Sequence, residues 1–495
     1  MNIFNSARLL TGLFLLSQFS FYPSISFSQE LREDISSFMQ SWGKRHRIGN
    51  NNVAYALIDV ENGEIKEQHN GNQVQSLASV SKMFTAQYVL GTLNEDSRFQ
   101  TTVLGDGPIS NGILKGKLVL QGNGDPMLFI PELTFLCEQL SKKGIKKVEG
   151  DFYYDDQFPS HKEEISSLGL GDQSYNSGIS GLNINFNRIE LYRQNKDWIS
   201  LPPISSFHLI ASDKEFAPGV RFSRDPLAVD FEQWEYKRNG KYDLREELPM
   251  KRPGLHAASF LQLQCKQYGV ELPNAKPWSP SPYKRFKGKI LAEHKSLPIR
   301  EIQRLALEYS NNIMAESSLL FAATKDTEMP TTLREASVSM LEWNKKQFPD
   351  LPWSDVTLIN GSGISSENKS SPMLLARWLA VVEKSHTTTR SLKTLLPLVG
   401  HSGWISARFK YPDVTHRMWA KTGSLDYVTN LAGYMVGKDQ KMYAFALLFS
   451  DQQNRTYLDT YNDKHADYLR QKAPSERRKL SSKIDEILVH WLNKY

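Results

Sequence analysis

An α+β fold is what this sequence predicts, and three observations carry the prediction. Strand patterns stand near both ends of the chain, helical spacing fills the passages just inside them, and the long middle, from about 98 to 288, turns to short strands and loops. The first strand pair is NVAYALIDVENGEIKEQHN, two extended runs joined by an Asn-Gly turn. The last is HRMWAKTGSLDYVTNLAGYMVGKDQKMYAFALLFS, two apolar runs joined by GKDQK. One set of elements thus brackets an interposed segment.

The elements follow in order. The start, MNIFNSARLLTGLFLLSQFSFYPSISFSQE, places Arg8 ahead of an apolar run from Leu9 to Leu16 and a small-x-small pattern at Ser26 and Ser28. That is an export leader, residues 1–28, with cleavage expected after Ser28; the apolar run is short for a membrane span. The first bracketing part, 29–97, opens with helical spacing in LREDISSFMQSWGKRH and continues through the hairpin into SVSKMFTAQYVLGTL, where Val80, Met83, Phe84 and Leu90 make an approximate apolar face. Residues 98–288 form one or two inserted accessory domains, β-rich between about 160 and 250, with no long amphipathic helix from Ser160 to Pro249. Two similar segments, LTFLCEQLSKKG and SFLQLQCKQYG, flank that middle as helices closing on strands. The second bracketing part, 289–495, holds helical spacing in SLPIREIQRLALEYSNNIMAESSLLFAATK, TLREASVSMLEWNKKQF and MLLARWLAVVEKS. The strand tail follows, and then a last amphipathic helix, SSKIDEILVHWLNKY, that covers the sheet.

At 495 residues, 40% of them hydrophobic, the chain can bury a full core. Its net charge is +6, and loss of Arg8 with the leader leaves +5, too mild for a nucleic-acid partner. The cluster SERRKLSSK reads as a solvated helix start, and membrane contact is peripheral at most. The two cysteines, Cys137 and Cys265, fit buried free thiols, and a bridge between them in an oxidising compartment is the open alternative.

H-E-x-x-H, C-x-x-C, G-x-x-x-x-G-K and G-x-S-x-G patterns are all missing, and GNGDP at 122–126 lacks the helix of a phosphate cradle. No metal or organic cofactor is expected. What remains is an ordered trio: Ser79-Val-Ser-Lys82, Ser310-Asn-Asn312 and Lys421-Thr-Gly423. Each is weak alone. Three other S-x-x-K matches start at Ser41, Ser281 and Ser366, and S-x-N recurs at Ser174 and Ser366. Taken singly, Ser79 reads as a helix cap, Ser310 and Asn312 as helix-end hydrogen bonders, and Lys421 as an edge-strand charge.

The chemistry gives the residue types another reading. A serine hydroxyl needs a base within hydrogen-bond reach, and three residues of helix bring Lys82 beside Ser79. Lysine serves only when neutral, and burial together with a second cation, Lys421, would disfavour its charge. Asn312 would orient Lys82 and the substrate amide, and Ser310 would relay a proton to the departing amine. Gly423 would let a ligand approach the strand edge.

With the flanking passages LKGKLVLQGNGDPML, GDFYYDDQF, NGSGISSENKSSP, LPLVGHSGWISARF and AKTGSLDYVTNLAGYM, the chain resembles the class C low-molecular-mass penicillin-binding proteins, the D-alanyl-D-alanine carboxypeptidase/endopeptidase family. The resemblance implies a penicillin-binding/serine β-lactamase-like catalytic domain, an antiparallel sheet covered by helices, with domains inserted between the first two motifs. It implies acylation at Ser79, an oxyanion hole at the N–H groups of Ser79 and Ser424, and a grip on the substrate's terminal carboxylate by Lys421 and Thr422. Peptidoglycan stem peptides would be the substrate, β-lactams the inhibitors, and the periplasm the location. Departures from the family pattern are Asn311 in the middle motif, Trp404 in place of threonine, and Ser366 where many relatives carry arginine. A serine β-lactamase or esterase, and a catalytically silent wall-binding module, are the rival readings.

Overall fold

The structure, a computed structural model, describes residues 52–495 apart from 169–171, 195–196, 202, 215, 217–220, 229–230, 239, 386 and 410–414. The expected leader and the helical stretch after it lie outside the described residues.

An antiparallel sheet of five strands runs in the order Met418–Leu425, Val428–Val436, Met442–Ser450, Val53–Asp59, Ile65–His69. Gly63, at φ 75°, closes the Asn-Gly turn of the last pair. The tail holds three strands rather than two. The extra turn is Asp426-Tyr427, where Tyr427 takes φ 63°, so a left-handed position carries no glycine and gave no sequence signal.

Alternation along the strands sorts two faces. Ala56, Ile58, Ala432, Tyr434, Ala444 and Ala446 pack into the main core with the helices Lys82–Thr92, Ile299–Glu308, Asn312–Ala323, Leu333–Gln347 and Pro372–Lys384. On strand Val53–Asp59, Tyr55 meets Trp491 of the terminal helix edge-on, with ring centroids 5.6 Å apart. That helix is longer than expected, Lys464–Lys494. SERRKLSSK therefore lies in its middle rather than at its start; Pro474, which resembles a first-turn proline, sits inside the helix. Helix Lys82–Thr92 also differs from its predicted one-sided pattern, being buried from Lys82 through Leu90 because helices wrap it on several sides.

The interposed segment leaves and returns on neighbouring strands. Gln100–Gly105 pairs antiparallel with Lys289–Lys295, so Gln100 stands opposite Lys295 and the two ends of this segment lie side by side. These strands belong to a second five-stranded sheet with Leu118–Gly122, Phe152–Asp155 and Ala275–Pro277. Helices Ile130–Lys142 and Pro253–Gln267 cover it, and a Cys137–Cys265 disulfide joins them, Cα atoms 4.8 Å apart, in place of the free thiols. The strands that follow these two similar helices bridge in parallel at Lys147 and Glu271. Between 188 and 249 the chain forms two three-stranded sheets.

Candidate active site

Ser79 lies in a single 3-10 turn, Ala78–Ser81, that leads into helix Lys82–Thr92. Ala78, just before it, has φ 45°, a strained value for a residue with a Cβ. The turn is pinned from the sheet: Asn430 Nδ2 donates to the carbonyls of Ser76 and Leu77, 2.8 Å each. Asn430 stands opposite Gly423 in the strand pairing. A Cβ on Gly423 would come 2.8 Å from Leu77 O and 3.2 Å from Val80 N, so glycine is what lets strand Met418–Leu425 close on the Ser79 turn. The small residue expected to admit a ligand to the strand edge thus has this turn as a close neighbour.

Lys82 is buried, and its Nζ meets three oxygens: Ser79 Oγ at 2.9 Å, Asn312 Oδ1 at 2.8 Å and the Ser362 carbonyl at 2.6 Å. Asn312 is held in register because its Nδ2 donates to the Tyr175 carbonyl at 3.0 Å. Asn312 Oδ1 and Ser362 O can only accept. A neutral amine gives its two N–H bonds to them and is left with one lone pair facing Ser79, whose hydroxyl can donate. Burial pushes Lys82 down to about 7, against the upward pull of the Glu316 carboxylate.

Ser310 takes φ 55° just before Asn311, the cap of helix Asn312–Ala323. Its Oγ accepts from Lys421 Nζ at 2.9 Å, and Lys421 also donates to the Thr422 carbonyl at 2.8 Å. Lys421 is driven well below the ordinary lysine range, first by burial and then by Lys82. Burial is the leading cause at both lysines; the charge of Lys82 acts on Lys421, whereas the charge acting on Lys82 is that of Glu316. These contacts join Ser79, Lys82 and Asn312 in one set and Ser310 and Lys421 in another, and the charge of Lys82 acts on Lys421 between them. Thr422, half-buried, and Ser424, exposed, flank Gly423 on the same strand.

Residues 32–470 match the D-Ala-D-Ala carboxypeptidase 3 (S13) family. The chain belongs to that family. It is a serine-type D-Ala-D-Ala carboxypeptidase of α+β fold. A curated relative, the D-alanyl-D-alanine carboxypeptidase DacB of Haemophilus influenzae, is 28% identical over 411 residues, which cover 80% of this chain and 84% of the relative. The crystal structure of penicillin binding protein 4 from H. influenzae superposes with a TM-score of 0.71 at 25% identity, covering 84% of this chain and 93% of that one. A structure of that protein with a β-lactam gives a TM-score of 0.67 at 24% identity, covering 81% and 90%.

Other members of this S13 site had no assigned role in the sequence. Glu316 is buried, its Oε2 accepting from Gly361 N at 2.8 Å and its Oε1 from Ser362 N at 2.7 Å. A signal for it exists: it is the one charge in NIMAESSLLFAA and falls four residues after Asn312, on the same helix face. Ser362, Tyr175 and Asn430 act through backbone or amide groups that no residue pattern marks. Of the departures, Asn311 is the cap of helix Asn312–Ala323, its Oδ1 accepting from Met314 N at 3.0 Å, a task asparagine and aspartate share. Trp404 is exposed, with its indole N–H donating to the Tyr309 carbonyl at 2.9 Å. Ser366 donates to Asp459 at 2.6 Å, and Asp459 pairs with Arg455 at 2.8 Å.

Proposed function

We propose that this enzyme cleaves the terminal D-Ala-D-Ala bond of peptidoglycan stem peptides through an acyl-Ser79 intermediate. The observation that carries the reading is the lone pair of Lys82, left to Ser79 after Asn312 and Ser362 have taken the two N–H bonds of the neutral amine. Lys82 takes the Ser79 proton as Oγ attacks the carbonyl carbon. Ser310, in contact with Lys421, returns a proton to the leaving amine. The N–H groups of Ser79 and Ser424 receive the oxyanion, each worth about 3 kcal/mol at the transition state. Lys421 and Thr422 hold the substrate carboxylate, and water releases the acyl group.

β-Lactams acylate the same serine, in line with the β-lactam complex of the H. influenzae protein. Action outside the cytoplasm, in the periplasm, is supported by the Cys137–Cys265 disulfide, a bond that persists in oxidising compartments. Among the described residues no helix is long and apolar enough to cross a membrane. The division into catalytic parts 29–97 and 289–495 around inserted accessory domains 98–288 belongs to the same proposal.

The test is incubation with a fluorescent penicillin followed by peptide mass spectrometry, alongside D-alanine release from a stem peptide. An adduct on the Ser79 peptide with D-alanine release is the expected result. Fast penicillin turnover without D-alanine release would favour a β-lactamase, and D-alanine release by Ser79→Ala would refute the mechanism.

A further inference from the structure

Around Ser79 three charged side chains are sealed from water: Lys82 and Lys421, each 1% exposed, and Glu316 at 0%. Buried charge persists when it is compensated within the interior. Of the elements packed on this set, helix Lys82–Thr92 supplies only Lys82 as a charge, helix Asn312–Ala323 only Glu316, strand Met418–Leu425 only Lys421, and residues 361–365 none, while helices Ile299–Glu308 and Leu333–Gln347, which also pack on the Glu316 helix, carry charges none of which is buried. Tyr175, whose carbonyl meets Asn312, is the titratable neighbour at the rim.

Glu316 makes no hydrogen bond to either lysine. Each of its oxygens accepts one backbone N–H, from Gly361 and from Ser362, and the carbonyl of that same Ser362 is what Lys82 Nζ meets at 2.6 Å. Burial pushes the carboxyl upward, while the Ser362 hydroxyl, the two N–H groups and Lys82 work against that rise. Two donors, one to each oxygen, fit the ionised form.

We infer that Glu316 is a positioning residue: it holds the Gly361-Ser362 peptide against Lys82 and, as the anion of the buried set, fixes one ammonium between Lys82 and Lys421. The inference rests on the acyl-serine reading above. With Glu316 ionised, one proton on the two lysines makes the set neutral. In the form that reacts that proton is on Lys421, and Lys82 keeps its lone pair for Ser79. In acylation the Ser79 O–H bond breaks, its proton goes to Lys82 and the Oγ–C bond forms. A second ammonium then faces both Glu316 and the developing oxyanion. Collapse breaks the C–N bond, a proton leaves by way of Ser310 to the departing nitrogen, and the set returns to one ammonium.

The experiment measures the second-order rate of Ser79 labelling by a fluorescent penicillin from pH 5 to 9, with folding checked by circular dichroism. Wild type should show a rate rising with pH through about 7. In Glu316→Gln the rising limb should move down by about one pH unit, with a lower plateau. Glu316→Asp, which keeps the charge, should hold the limb in place. In Lys421→Met the proton has only Lys82 to occupy, and the limb should move up.

A Glu316→Gln rate lowered by the same factor at every pH, with the limb unmoved, would mark a purely structural role and overturn the inference. So would an unmoved limb in Lys421→Met, which decides the matter alone if Glu316→Gln fails to fold. A wild-type chain that takes no adduct at any pH would instead overturn the acyl-serine reading itself.

Discussion

Ser79 with Lys82 and Glu316, and Ser206 with His256 and Glu232, are two sets of serine, base and acid in one chain. The Ser206 set has the more continuous relay of hydrogen bonds: Ser206 Oγ stands 2.9 Å from His256 Nδ1, and His256 Nε2 stands 3.0 Å from Glu232 Oε2. Yet Ser206, His256 and Glu232 are 4%, 0% and 2% exposed. The Glu232 oxygens also accept from the Lys251 and Arg252 backbones and the Trp234 indole at 2.8 to 3.1 Å. Those backbone N–H groups sit at the start of helix Pro253–Gln267, where donors lack partners in the helix itself. Burial works against the charge on Glu232, but His256, Trp234 and Lys251 hold it below the usual carboxylate range. This set is a clamp on a helix end. Ser79 is partly exposed, and the amine beside it, when neutral, keeps a lone pair in hand. A serine and base become reactive where one bond is left unmade and a substrate can reach it.

The most severe trial of this contrast is a pair of serine variants. Ser79→Ala should cut penicillin labelling by at least about 10³-fold, whereas Ser206→Ala should leave it within about twofold; gel fluorescence after matched exposure reads both. Next, Glu232→Ala strips the acceptor from His256 and several buried N–H groups, and denaturant titration should show a loss of about 3–5 kcal/mol.

Lys82→Met should act with the opposite sign. The folded state holds Lys82 at about 7 against its ordinary 10.5. Between those values the unfolded chain binds more protons, so stability rises with pH, and the burden of the buried amine is complete below pH 7. The variant should therefore be more stable than wild type by on the order of 3 kcal/mol at pH 6, a gain that fades toward pH 10.5 in melting curves taken across that range. The smallest effect belongs to the cap: Asn311→Ala should cost about 1 kcal/mol, while Asn311→Asp should change stability by only a few tenths.

Several of these distinctions were open to a reader of the sequence, and others were not. The three-residue spacing of Ser79 and Lys82 dictates that they share a helix face, and the Asn-Gly turn dictates the first hairpin. The approach of Lys421 to Ser310 depends on a left-handed residue at 310 and on a strand seated against the Ser79 turn, and neither has a local signature. Glu316 was legible as a lone charge in an apolar helix, but its task lies in two backbone N–H groups forty-five and forty-six residues away in sequence. The serine and histidine of the decoy set, fifty residues apart, leave no mark in the sequence. SERRKLSSK reads as a helix start, whereas the helix begins at Lys464 and runs through Pro474, which stands just before that cluster.

The bond from the Asn312 amide to the Tyr175 carbonyl has a consequence for any attempt to trim this enzyme. An amide has two ends of nearly equal size, and its partners, here the Lys82 donor and the Tyr175 acceptor, decide which end turns which way. Residue 175 belongs to the stretch a designer would delete first. A shortened catalyst without it would let that side chain swing end over end, presenting hydrogens where the lysine needs an oxygen. The stretch around residue 175 is a jig for a single rotamer, and a miniature would have to supply another acceptor in the same place.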